Sequence, residues 1–207
     1  MDIVAWFTME NLTRWQGRSI APATLAGPTP DCHHDVHRRI VAVEPPGPPL
    51  INGPFQRAAR AIAHYEVFPP TLAWGPMARP VQLGDTVGLR YRLVPGVHIF
   101  FACRVCHVFD TGQRCGFTYQ TLEGHPETGE ETFAVEKNEI TGAVVVSLVS
   151  WSRLAIPLAG LVRPLARRLQ LAAGRAALDH LERLCNQEEA ASSKVKTSAR
   201  RLSKVER

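Results

Sequence analysis

A mixed α+β fold, with a curved antiparallel sheet covered by one long C-terminal helix, is predicted by three observations. Apolar residues alternate with a period of two over residues 81–151. The gaps inside that region are short and rich in Gly, Asp and Asn, as antiparallel hairpins require. Over residues 165–185 the period becomes helical, with Leu165, Leu169, Ala172, Ala173, Ala176, Leu181 and Leu184 on one stripe and charged residues on the other.

The elements follow in order. Residues 1–36 read as an irregular segment, because Pro22, Pro28 and Pro30 interrupt regular structure. The domain proper is expected over 37–186, opening with a strand at 37–43. More prolines follow at 45, 46, 48 and 49. A helix then starts at Gly53-Pro54, with Phe55, Ala58, Ala59, Ile62 and Ala63 at helical spacing, and ends before Pro69-Pro70. Strands are expected at 85–94, 98–109, 114–122, 131–135 and 143–151. Pro157 and Pro164 should set a short lead-in apart from the closing helix. After Asn186 the apolar period stops, and residues 187–207 read as a disordered basic tail. A sheet with one apolar face needs a cover, and the long helix supplies it in a helix-grip arrangement, which often leaves a ligand cavity.

Bulk properties narrow the function. The 207 residues suit one domain, and 45% hydrophobic with 21% charged residues is an ordinary globular balance. Residues 191–207 hold six basic residues and one acid, so they account for the whole net charge of +5. The body is neutral, which argues against specific nucleic-acid binding. Five cysteines, an odd count, together with an N-terminus that opens on Asp2, point to a reducing, cytoplasmic setting. The apolar stretch 142–162 carries Arg153 and three serines, so no transmembrane span is expected.

Three motifs carry chemistry by residue type. Cys103-Arg-Val-Cys106-His107 has the spacing of a c-type haem attachment site. It falls in a strand, however, where Cys103 and His107 share one face and Cys106 takes the other. Cys32-His33-His34 and His37 are metal-ligand types in a proline-rich segment, and read as solvated histidines. No metal or cofactor is expected. Residues 123–131, Glu-Gly-His-Pro-Glu-Thr-Gly-Glu-Glu, gather one imidazole and four carboxylates in an expected hairpin loop.

The run Phe117-Thr-Tyr-Gln-Thr-Leu-Glu-Gly-His-Pro-Glu-Thr-Gly-Glu-Glu-Thr-Phe133 resembles the signature of a family whose function is unknown. It is the domain of unknown function labelled one-nine-nine-zero, also called uncharacterised protein family 0548. Ser150-Trp-Ser152-Arg153, Arg163 to Gln170 and Phe55 to Ile62 resemble further segments of it, so the likeness spans about residues 37–185. Thr118 and Gln120 stand where the family has glycines, and Leu154 where it has proline. The resemblance implies a START-like (Bet v 1-like) helix-grip fold and no established activity.

On that basis three functions are expected to compete. The first is binding of a small apolar or amphipathic molecule between sheet and helix. Phe117, Tyr119 and Thr121 would line the cavity, with His125, Glu127, Glu130, Glu131 and Arg153 at its mouth. The second is a cyclase- or hydrolase-like enzyme using His125 and Glu131 as acid and base. The third is a peripheral membrane or protein-interaction module, with residues 154–171 as an amphipathic surface and the basic tail as an electrostatic tether.

Overall fold

The computed structural model describes residues 9–94, 97–155 and 159–205, with side chains over 12–92, 98–155 and 163–186. Two short helices, α1 (Met9–Gln16) and α2 (Pro22–Leu25), come first, followed by strand β1 (His33–Val43). Helix α3 (Pro54–Ala63) and the two-residue β2 (Ala73–Trp74) come next. Four hairpin-linked partners then run as β3 (Thr86–Val94), β4 (Val97–Asp110), β5 (Arg114–Thr121) and β6 (Glu127–Lys137). Strand β7 (Ala143–Leu154) and helix α4 (Ala159–Val205) complete the chain. Among the described residues the strands form one antiparallel sheet in the order β1-β7-β6-β5-β4-β3-β2. The first strand thus returns to pair with the last, and α4 lies across their concave side. This is the α+β helix-grip arrangement that the sequence predicts.

Period-two alternation sets the two faces. Phe117, Phe133, Val135, Val146 and Leu148 point into the concave face and are buried. Ala58 and Ile62 of α3 and Ala177, Leu178 and Leu181 of α4 close over them. Tyr65, just past α3, is the central plug. It meets Phe117, Tyr119 and Phe133 edge-on with ring centroids 5.9, 6.1 and 6.0 Å away. Edge-to-face packing of this kind adds to area burial. Helix α4 passes close to β1 at Gly174, where a Cβ would stand 2.5 Å from the His37 ring.

The structure differs from the sequence reading at five places. The segment expected to be irregular contains α1 and α2, and Trp15 packs with Phe100, Ala102 and Leu122 on the convex face. Strand β1 begins at His33, because β7 runs on to Leu154 and offers Ser152 as its partner. Strand β6 begins at Glu127, so Glu127, Glu130 and Glu131 stand in a strand and not in a loop. A register shift between Val105 and His107 places His107 opposite Thr118, on the face away from Cys103. Pro164 lies inside α4, which continues to Val205 because no Gly or Pro follows Gly174 to break it. Pro157 and the basic side chains of residues 187–207 lie outside the described residues.

Deleting residues 190–207 is expected to leave Tm within a few degrees. The last described anchors of α4 lie upstream: Leu181 and Cys185 are fully buried, and Asn186 Nδ2 donates to the Val41 carbonyl at 3.1 Å. A thermal melt in which Tm falls by more than about 8 °C would show that the tail docks.

Candidate functional site

At one end of the sheet β1 and β6 begin, β5 and β7 end, and α4 starts its return. Here the concave face changes from apolar to polar. The register pairs Tyr119 with Glu131 and Gln120 with Glu130. Alternation therefore turns Glu127 and Glu131 inward and Glu130 outward.

Glu131 is half-buried, and the Tyr119 hydroxyl donates to its Oε2 at 2.8 Å. Among the described residues its Oε1 accepts no hydrogen bond. Burial pushes the carboxyl up to about 7 against the pull of Tyr119, and the charges of Glu127 and Asp35 push the same way. Tyr65, Tyr119 and Cys103 lie close by, and burial raises each of them well above its ordinary range. They stay protonated at neutral pH. Glu127 is also raised by burial, while Gln170, Ser152 and the Arg167 charge pull it down. Arg167 reaches from α4 to both oxygens of Asp35 on β1. That pairing outweighs burial and holds Asp35 below the usual carboxylate range.

His125 sits in the turn before β6, with its N–H donating to the Leu122 carbonyl at 3.0 Å. Its ring meets Phe101 edge-on, with centroids 4.6 Å apart. Nδ1 lies 2.9 Å from the Glu127 carbonyl oxygen and 3.0 Å from the Glu127 N–H, so the Glu127 backbone engages this ring nitrogen in either tautomer. Burial lowers the imidazole to about 4, opposed by the nearby Glu127 backbone carbonyl. It is neutral at physiological pH.

The expected site residues therefore separate. Tyr119, Glu127 and Glu131 come together on the concave face, and His125 flanks them against Phe101. Phe117 is fully buried beneath Tyr65. The Thr121 hydroxyl accepts from the Gly129 N–H at 3.1 Å and lies 2.7 Å from the Thr24 hydroxyl, so it ties α2 to the sheet. Glu130 is held on the convex side by Gln120 Nε2 at 2.9 Å. Arg153 pairs in the ladder with Thr128 and leaves the concave face. His125 and Glu131 answer to different neighbours and do not pair with each other. Sequence reasoning did not mark Asp35, Ser152, Arg167 or Gln170 as site residues, although the last three lie within the family-like segments; they reach the cluster from distant elements. Among the described residues no three His, Cys, Asp or Glu side chains are placed to hold a metal ion.

A family model described as "Domain of unknown function (DUF1990)" matches residues 19–180. The chain belongs to this family. Two curated relatives, each described as a "UPF0548 protein", are similar to it. The one from Deinococcus radiodurans is 37% identical over 75 residues, which is 36% of this chain and 37% of that protein. The one from Dictyostelium discoideum is 30% identical over 130 residues, 56% of this chain and 59% of that protein. The matches thus span less than two thirds of either relative. Among solved structures, the di-domain ARO/CYC StfQ from the steffimycin biosynthetic pathway superposes with a TM-score of 0.51 at 11% identity. That likeness covers 77% of this DUF1990 chain and 52% of StfQ, and concerns the fold alone. No helix among the described residues is long and apolar enough to cross a membrane.

Proposed function

We propose that this DUF1990 chain binds a small amphipathic molecule at the polar end of its concave face. The apolar part lies against Phe101 and Ile99, and a polar group meets Glu131 and Tyr119. The observation that carries this reading is the Glu131 carboxyl. It is half-buried above an aromatic core, one oxygen has no partner among the described residues, and its proton is held to about neutral pH. A protonated carboxyl can donate as well as accept, so it suits a hydroxyl or carbonyl on a largely apolar ligand.

Catalysis is the second reading, because a carboxyl near 7 is well placed for proton transfer. His125 is a poor partner for it, since its Nδ1 is occupied by the Glu127 backbone. Binding needs only the groups that converge.

Native mass spectrometry of the purified full chain is expected to show a retained small molecule, released on denaturation and lost in Glu131→Leu. A panel of amphipathic compounds (a bile acid, a flavonoid, a fatty acid) should contain at least one that raises Tm in wild type only. A bare chain in every preparation, with no compound shifting Tm, would sink the reading.

A further inference from the structure

A separate hollow of about 130 Å³ opens where the approach to β1, the end of β7 and the early turns of α4 meet. Asp31, His33, Arg153, Arg163, Arg167 and Gln170 line most of it. Three arginines thus line one small volume from two elements, together with Leu154 and Ala166. Arg167 is committed to Asp35. Arg153 and Arg163 are not. Arg153 Nε lies 3.4 Å from the Thr128 hydroxyl, and one of its terminal nitrogens lies 3.5 Å from Asp31 Oδ2. Both contacts are longer than a good N–H···O bond. Arg163 donates to the Asp31 backbone carbonyl at 3.2 Å, and its other N–H groups have no partner among the described residues. His33 Nε2 is buried and has no hydrogen-bond partner among the described residues. A buried polar atom left unmatched costs stability that a bound group would recover.

We propose that this hollow is a phosphate site, taking a phosphoryl group either free or carried on a small organic ester. Arg153 from β7 and Arg163 from α4 supply the guanidinium forks, and His33 from β1 supplies an imidazole N–H. Donors arriving from three elements suit a tetrahedral group with several acceptor oxygens. A carboxylate would be served by a single fork. The Asp31 carboxylate, more than half exposed and loosely held by Arg153, is the competing internal anion. It makes the site weak until a ligand displaces it. Arg167 and Gln170 line the hollow and also reach Glu127, but the proposed donors Arg153, Arg163 and His33 make no hydrogen bond to Glu131 or Tyr119 among the described residues, so the proposal does not rest on the reading of that cluster.

Titrate the full chain with inorganic phosphate and with glycerol phosphate at ionic strength fixed with chloride, by calorimetry and ³¹P NMR. At least one should bind saturably. Arg163→Gln should weaken it about tenfold, the loss expected for one charge-assisted hydrogen bond. Asp31→Asn should tighten it, and Glu131→Gln should leave it unchanged. Tighter binding of the ester would name an organic phosphate as the source; tighter binding of the inorganic ion would name free phosphate. Arg163 is exposed, so its replacement leaves the fold intact. The proposal is overturned if neither probe binds saturably, if Arg163→Gln binds as wild type does, or if acetate binds as tightly as phosphate.

Discussion

Replacing Lys137 with methionine is expected to destabilise the fold by about 3–5 kcal/mol, the cost of leaving a buried charge without its partner. The Lys137 and Glu44 side chains are both 0% exposed, and Nζ lies 2.9 Å from Glu44 Oε2. The same ammonium donates to the Pro45 and Pro48 carbonyls at 3.0 and 2.8 Å, so all its protons are used. Glu44 is equally committed. Its Oε2 accepts from the Leu50 N–H at 3.0 Å and its Oε1 from the Phe55 N–H at 2.8 Å. Phe55 stands in the first turn of α3, whose N-cap residue Gly53 brings no side chain of its own. Glu44 therefore caps that helix from outside. Burial works against the charged form, but the Phe55 and Leu50 amides and Lys137 together hold the carboxyl below its ordinary range.

The methionine variant keeps the volume and removes the charge, so Glu44 is stranded with two amides and no cation. Chemical unfolding at neutral pH measures the loss. The double variant Glu44→Gln/Lys137→Met should lose less than the two single losses added together, because the stranded charge is gone. A single-variant loss below ~1 kcal/mol would mean that the pair behaves like an exposed one.

The same pair shows why some of the fold was legible in the sequence and some was not. The strands β3, β4, β5 and β7 announced themselves because their alternation is local and apolar. Strand β6 lost its first four residues to a loop reading because Glu127, Gly129 and Glu130 carry poor strand propensity and the four include no apolar residue. Pairing with β7 along all four residues, joined by β5 at Glu130, overrides that signal. Once the strand is extended, the period of two decides which glutamates face inward. Glu131 could have been separated from Glu130 by parity with Phe133 alone. Lys137 lies 93 residues from Glu44, and Asp35 lies 132 from Arg167. No local pattern marks either contact. Tyr65 was missed for a different reason: it follows a helix in a left-handed conformation, with φ of 56°, where no periodicity applies. It nevertheless fills the space in which Phe117 was expected to meet a ligand.

Glu131→Gln and His125→Gln are expected to change the pH dependence of stability in opposite directions. The folded Glu131 carboxyl is raised to about 7, from 4.5 for the free side chain. Between those values the folded state holds a proton that the unfolded state has released. Glu131's contribution is thus fully present below pH ~4.5 and is lost as pH rises to ~7, by at most about 3 kcal/mol. His125 is lowered to about 4, from 6.5. Its contribution is fully present above pH ~6.5 and is lost as pH falls to ~4, on a similar scale. In wild type the two slopes oppose each other between pH ~4.5 and ~6.5 and largely cancel. Removing Glu131 should leave stability rising with pH through that window. The variant should be more stable than wild type at pH ~7.5, because the carboxylate that burial and the Glu127 charge disfavour is gone. Removing His125 should leave stability falling from pH ~4.5 to ~7. Urea unfolding of the three proteins across this range, taken as differences from wild type, cancels the contributions of the other groups. Parallel profiles for wild type and Glu131→Gln would place the Glu131 proton at its ordinary affinity. The binding reading would then lose the feature on which it rests.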